Sequence, residues 1–330
     1  MAASGDLVLP TMNHEGYGTA KAFADRYRKL HLPRSLPPSE MPCYAAVMAL
    51  KPRVVIVGPG RLGSALAVQL KRAGYRINEI VSRNSRTSAR KAHALSRKVQ
   101  ASWSGATPCL EADLIWFCVP DRQIAKAARR LAHATNWKGK IAFHSSGALT
   151  SDELHILRRS GAIVASVHPF MTFVHASIPP LQDVPFALEG DPAALRLAGK
   201  IVRDLGGQPF SISKTKKSVY HAWGGFTSPL LIALLVTAEK VARAAGLSRP
   251  DARKKMLPIV RQTLDNYAKL GPARAFSGPI VRGDAQVVRK HIRELKKIPG
   301  ATDVYLALAR AGVQYLPVRN RKKLEKLLVR

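Results

Sequence analysis

The sequence predicts an α/β fold, a doubly wound, mainly parallel sheet followed by an all-helical carboxyl-terminal domain. Three observations predict it. Val54 to Val57 is an unbroken apolar run, which reads as a strand buried on both faces. Gly58, Gly60 and Gly63 follow at G-x-G-x-x-G spacing, and Leu62, Leu66 and Leu70 then recur every fourth residue, so strand, glycine turn and helix succeed one another directly. Beyond them the pattern alternates strand and helix as far as about Ser213, the signature of a parallel sheet.

Taken in order, residues 1–47 show no sustained period and end in a proline-rich patch, Leu32 to Pro42, so a partly disordered tail is expected there. The dinucleotide-type domain is expected over 48–213. Its strands are predicted at Arg53–Val57, Ile77–Ser82, Leu114–Val119, Lys140–Ser145, Ala162–His168, Pro185–Glu189 and Gln208–Ser213. Its helices are predicted at Arg61–Ala73, Thr87–Leu95, Arg122–Ala132, Ser151–Arg159 and Pro192–Leu205. A basic connector, Lys214-Thr-Lys-Lys217, ends the strands. Residues 214–330 then read as helices at Ser218–Ala245, Pro250–Ala268, Asp284–Lys297 and Thr302–Tyr315, with a short basic one near Arg321–Val329. The run Leu230 to Val236 is apolar all round, so it is expected to be buried inside the domain or at a subunit contact.

Composition excludes several classes. An apolar content of 46% fits a globular protein rather than a disordered one. The 53 basic against 21 acidic residues give a formal charge of +32, which attracts anions. The basic residues are nevertheless spread along the whole chain without an aromatic-interleaved segment, so a nucleic-acid partner is not expected. Cys43, Cys109 and Cys118 show no paired or metal-type spacing, and residues 1–30 contain no apolar signal segment; a reducing, cytoplasmic setting is expected. The longest uncharged run, Ala222 to Ala238, is interrupted by Gly224, Gly225 and Pro229 and falls short of a membrane span.

The glycine segment carries the first functional reading. Gly58 permits the tight turn, Gly60 admits a pyrophosphate to the backbone, and Gly63 lets helix pack on strand. The amides of Arg61, Leu62 and Gly63 then open a helix whose positive end suits phosphate. An NAD site usually carries an acid at the end of the second strand. Here Ser82-Arg83-Asn84-Ser85-Arg86 stands there, and Ser82, Arg83 and Arg86 suit a 2′-phosphate, favouring NADP over NAD.

Further candidates lie at strand ends. Val119-Pro120 would pass beside the cofactor's ribose and nicotinamide, and Asp121 reads foremost as a helix cap. His144, with Ser146 two residues on, could move or relay a proton, or else be a buried histidine with turn serines. His168, fixed by Pro169, could complete a proton relay, and His221 could add a third group or make an ordinary interdomain hydrogen bond. Arg282, before the capping residue Asp284, could clamp a substrate acid group or pair with protein. No metal or other nucleophile motif appears.

The segments Val57-Gly-Pro-Gly-Arg-Leu-Gly63, Val119-Pro-Asp121, His144-Ser-Ser-Gly-Ala148, Val167-His-Pro-Phe170 and Gly278-Pro-Ile-Val-Arg-Gly-Asp284, with Tyr220-His-Ala222, resemble one family. It joins a Rossmann-like domain to an all-helical domain of unassigned function. It is related to pyrroline-5-carboxylate reductases, 6-phosphogluconate-type and prephenate dehydrogenases, and deazaflavin-linked NADP reductases. Relatives often carry an asparagine near the start of the long helix, where this chain has Ser228-Pro229.

The resemblance implies an oxidoreductase-like protein without a settled substrate. The expectation is an NADP-dependent oxidoreductase acting on a carbonyl or imine carbon of a small anionic substrate. His144 or His168 would handle the proton, and Arg282 would share the site with His168. A homodimer through the helical domain is expected from the apolar helix. The rivals are a non-catalytic NADP-binding sensor or assembly protein and a basic nucleic-acid-binding protein.

Overall fold

The computed structural model describes residues 51–105, 107–174 and 178–329. The tail expected over 1–47, with Cys43, lies outside the described residues.

The apolar run forms β1 (Val54–Val57), buried throughout as a central parallel strand must be. The glycine turn leads into α1 (Arg61–Arg72), which sets Leu66 and Leu70 against the sheet. Next come β2 (Ile77–Val81), α2 (Arg86–Val99), the short β3 (Ser102–Ser104) and β4 (Leu114–Phe117). A single 3₁₀ turn, Asp121–Gln123, opens α3 (Ile124–Leu131). The remaining elements are β5 (Ile141–His144), α4 (His155–Arg159), β6 (Ile163–Pro169), β7 (Pro185–Gly190), α5 (Pro192–Asp204) and β8 (Gln208–Ser211). The strand order is β3-β2-β1-β4-β5-β6-β7-β8, and only the β6–β7 pairing is antiparallel. The predicted doubly wound, mainly parallel sheet is therefore present. One apolar cluster packs α1, α2 and α5 on one face, and a second packs α3 and the turn before α4 on the other.

Some local expectations need correction. β3 was not expected, because its exposed three residues carry too little pattern to read. The helix after β2 begins at Arg86, since Ser85 caps it by accepting the Ser88 amide hydrogen bond. Asp121 caps nothing: the 3₁₀ turn has no side-chain cap, and the residue is exposed.

The chain divides into two compact units between Tyr220 and His221, later than the connector at 214–217 suggested. Lys217 and Tyr220 are buried in the first unit, which holds the start of α6 (Lys217–Thr227). The second unit continues with α7 (Pro229–Ala244), α8 (Arg249–Leu270), the short α9 (Pro272–Ala275), α10 (Ala285–Leu295), α11 (Ala301–Tyr315) and α12 (Arg321–Leu328). The expected single helix over 218–245 breaks at Ser228, because Pro229 has no amide hydrogen to continue it. Asp284 does cap α10, accepting from the Val287 amide at 3.2 Å. A small core joins Val288, Leu306, Val313, Leu324 and Leu328.

The apolar run of α7 has two expected places, inside the domain or at a subunit contact. It is not buried within its own unit: Leu230 is 52% and Ile232 59% exposed. Its buried residue is Glu239, whose carboxylate lies 2.9 Å from the Arg253 guanidinium of α8. The helical stretch Lys214–Ala244 is long and apolar enough, by length and composition, to cross a membrane, whereas Ala222 to Ala238 alone was read as too short.

Candidate functional site

The connections lead from β1 to β2 on one side and across to β4 on the other, and in open parallel sheets ligands bind at the carboxyl edge of such a switch point. The glycine turn occupies that edge. Gly58 has φ +108°, and a Cβ there would lie 2.7 Å from the Cys118 carbonyl oxygen. A Cβ on Gly63 would lie 2.1 Å from the Gly58 carbonyl, so helix and strand meet at a distance only glycine allows.

Gly60 differs. Its nearest neighbour to an added Cβ is 3.9 Å away, so the protein itself does not need a glycine there, and the space lies at the amino end of α1. That helix has no side-chain cap and no acid in its first turn. The amides of Arg61, Leu62 and Gly63 have no partners within the helix, and its positive end faces a cradle that a Cβ would narrow. These features fit a dinucleotide pyrophosphate.

The turn opens into a cleft of about 510 Å³ whose floor includes Gly58, Gly60, Val119 and Pro120. Ser82 and Arg83 line it from the end of β2. Ser82 is buried and its hydroxyl donates to the Arg83 carbonyl at 3.1 Å, whereas the Arg83 side chain is exposed. Arg86 does not line the cleft. It opens α2, and the helix instead turns Ser88 and Lys91 inward. Arg61 points elsewhere, towards the Phe173 carbonyl at 3.4 Å.

The strand ends beside the switch point hold a second group of polar residues. The register aligns Phe117 with His144 and His144 with Ser166 across β4, β5 and β6. His144 is fully buried. Its Nε2 donates to the Thr150 carbonyl at 2.9 Å, and its Nδ1 accepts from the Ser146 amide at 3.1 Å. Burial holds its pKa down at about 4. With both ring nitrogens engaged by backbone, His144 is a neutral structural residue, and its expected proton-transfer role does not survive. Ser146 is buried as well, and its hydroxyl accepts from the Leu149 amide at 2.9 Å, fixing the turn.

His168 remains a candidate. Its Nδ1 lies 2.7 Å from the Tyr220 hydroxyl, and the two rings meet edge to face. Burial raises the Tyr220 phenol well above its ordinary pKa, keeping it neutral.

Next to this pair sits Lys217, which sequence reasoning passed over. Its Nζ donates to the Ser146 carbonyl at 2.9 Å and to the Ser166 hydroxyl at 2.5 Å, and Ser166 in turn donates to that carbonyl at 3.0 Å. Lys217 is 1% exposed, and burial lowers its pKa to about 8, with Glu189 and Asp121 pulling it partly back up. In the sequence it is one lysine of a basic connector. The signal that could have found it is its pairing with Tyr220 one helical turn later. His221 and Arg282 are exposed residues of the second unit.

Two family matches now bear on this geometry. Residues 40–169 match the Rossmann-like domain family. Residues 184–311 match a domain of unknown function, DUF2520. The second match begins just before β7, so its first strands complete the sheet and its helices form most of the second unit.

Among solved structures, the chain is similar to a protein provisionally assigned as an NADP oxidoreductase from Bacteroides fragilis. The TM-score is 0.64 at 22% identity, covering 78% of this chain and 96% of that one. A Thermotoga maritima protein gives 0.63 at 27% identity, covering 83% and 99%. A reductive aminase from Aspergillus terreus, solved with NADPH and ethyl-5-oxohexanoate, gives 0.58 at 15% identity, covering 84% and 99%. No curated protein sequence matches the chain significantly. The protein thus has the fold of a group containing NADP-dependent reductases.

Proposed function

We propose that the protein is an NADP-dependent oxidoreductase, exchanging a hydride between NADP(H) and a carbonyl or imine carbon of a small anionic substrate. The observation that carries this reading is the glycine-floored cleft, which has Arg83 where an NAD site has an acid, close in the fold to a buried lysine at the neighbouring strand ends. The fold shared with an NADPH-bound reductive aminase supports it.

Gly58, Gly60, Gly63 and the first amides of α1 would hold the pyrophosphate, Val119 and Pro120 would border the ribose, and Arg83 would meet the 2′-phosphate. NADPH, when bound, would supply the hydride. The chain's part is to align the reactants, exclude water and move a proton. Lys217, with a pKa of about 8, holds a proton that can leave near neutral pH, the property a general acid needs. Ser166 orients its Nζ. The His168–Tyr220 pair is the second proton-handling group. Roles for Arg282 and His221 rest on residue type alone: a guanidinium for the substrate's acid group and an imidazole for a hydrogen bond.

The exposed apolar surface of α7 and α8 supports association of the helical unit with a second copy. Leu230, Ile232, Ile259 and Leu264 are each more than half exposed. The reducing setting of a cytoplasm is proposed alongside, since Cys109 and Cys118 are free thiols.

Fluorescence titration with NADPH and NADH tests the cofactor. NADPH binds more tightly, and Arg83→Ala removes about 1.5–3 kcal/mol of that advantage by deleting a charged hydrogen bond. Equal affinities, or an unchanged preference in the variant, would refute the NADP reading.

A further inference from the structure

The cleft that Arg83 lines has a second basic wall. Gln123 lies in the turn that opens α3, and Lys126, Ala127 and Arg130 of α3 follow it at spacings of three, four and seven, which places them on one face; all four line the cleft. On the opposite side α2 contributes Ser88 and Lys91, three residues apart. Four cations therefore surround one cavity: Arg83, Lys91, Lys126 and Arg130. Among the described residues, no Asp or Glu lines it.

Some cations of the same unit meet carboxylates: Arg53 lies 3.0 Å from Asp113, and Arg158 lies 3.2 Å from Asp152 and 3.0 Å from Asp191. Among the described residues, none of the cleft's four cations makes an ion pair. Like charges facing one cavity repel each other when it is empty of anions, and a multivalent anion relieves that repulsion. The apolar lining between them, Val81, Val119 and Ala127, suits a flat ring rather than a bare ion.

We infer that α3 is part of the recognition of the adenosine end: Lys126 and Arg130 bind the ribose phosphate monoester from the side opposite Arg83 and Lys91. This rests on the dinucleotide reading above and goes beyond it, because it assigns specificity to a helix that the β2 end does not include. A phosphate monoester carries about −1.5 to −2 charges at neutral pH, more than one arginine neutralises. A clamp with cations on both walls compensates it, whereas unphosphorylated adenosine leaves those cations facing each other.

The test is calorimetric titration of the full chain with NADPH, NADH, 2′,5′-ADP and 5′-ADP, in the wild type and in Lys126→Gln/Arg130→Gln. All four altered or neighbouring cations are exposed, so the double variant keeps its melting temperature. It loses about tenfold or more in affinity for NADPH and 2′,5′-ADP, as the loss of charged phosphate contacts requires. Its affinity for NADH and 5′-ADP changes little, and its NADPH affinity falls less steeply with salt. The charge reversal Lys126→Glu/Arg130→Glu shifts the preference towards NADH.

Unchanged NADPH affinity in both variants, with the wild type still preferring NADPH, would overturn the role of α3 and leave the dinucleotide reading standing. Equal losses for all four ligands would reduce α3 to a general electrostatic field and overturn its specificity. A wild type that binds none of the four would overturn the dinucleotide reading and this inference together.

Discussion

The two units treat their apolar residues in opposite ways. In the first, the strands β1, β4 and β5 are completely or almost completely buried, and two clusters close both faces of the sheet. Its large exposed hydrophobic residues, among those described, are Trp103, Val174, Phe210 and Val219. In the second unit α10, α11 and α12 close a small core, but α7 and α8 leave Leu230, Ile232, Leu234, Leu257, Ile259 and Leu264 in the open. An apolar groove of about 720 Å³ runs between α7, α10 and α11, with Leu234, Val241, Val304 and Leu308 among its walls. Patches this continuous are uncommon on monomeric proteins, and this one motivates the proposed association with a second copy. The sheet unit closes both faces of its sheet; the helical unit leaves one apolar face open.

The strongest way to break that contrast is to charge the open face. Ile232→Glu with Ile259→Glu should weaken self-association by on the order of 4 kcal/mol, the cost of losing central apolar anchors. Sedimentation in enough salt to screen the basic surface reads it. A wild type that is monomeric at every concentration, and stays soluble, would show that the open face needs no second copy.

The sheet unit predicts the reverse sensitivity, to added atoms rather than to charge. Gly63→Ala pushes a Cβ to within 2.1 Å of the Gly58 carbonyl and should cost up to about 3 kcal/mol of stability, as overpacking does. Gly60→Ala meets nothing closer than 3.9 Å, so it should leave the melting temperature nearly unchanged while weakening NADPH binding. If both variants lose stability alike, Gly60 is structural and the phosphate cradle fails.

Buried charge gives a pH signature confined to the first unit. Lys217 titrates at about 8 when folded and near 10.5 when unfolded. Below pH 8 the fold carries a buried ammonium at a cost of roughly 3 kcal/mol; between pH 8 and 10.5 the folded state sheds that proton first, so this contribution raises stability with pH. Lys217→Met should lack that rise when thermal melts are compared with the wild type across the window. His144 works on the acid side. Its neutral form is favoured by folding, so its contribution is present above pH 6.5 and fades towards pH 4. A Lys217→Met protein whose melting temperature tracks the wild type at every pH would show that the lysine is not buried as described.

The smallest effect expected is at the His168–Tyr220 pair. Tyr220→Phe removes one hydrogen bond and should cost about 1 kcal/mol of stability. Once a substrate is in hand, it should lower kcat more than it raises KM if the pair handles the proton. An unchanged kcat would leave Lys217 as the sole proton-handling candidate.

Much of the glycine-floored cleft was legible in the sequence. Gly58, Gly60 and Gly63 needed only their spacing and their place between a strand and a helix. Arg83 needed only its place at the end of β2. The proton-handling half was less legible. His144 looks catalytic because histidine at a strand end is chemically capable, and nothing local reveals that Thr150 and Ser146 occupy both its nitrogens. Arg86 and Lys91 are equally basic and lie on the same helix, and only the direction each faces separates them.

The sequence by itself determined the alternating strands and helices, the glycine turn and the absence of an acid after β2. These are short-range properties, set by backbone sterics, hydrophobic period and residue type within a few positions. Tertiary structure alone decided that Lys217 lies buried beside Ser166 while Lys214 and Lys216 stay exposed. It alone turned one face of α3 into a wall of the cleft. It also left α7 uncovered, although its apolar run reads as buried. Burial depends on which distant segments of chain arrive to cover a residue, and no local pattern records what arrives or what fails to.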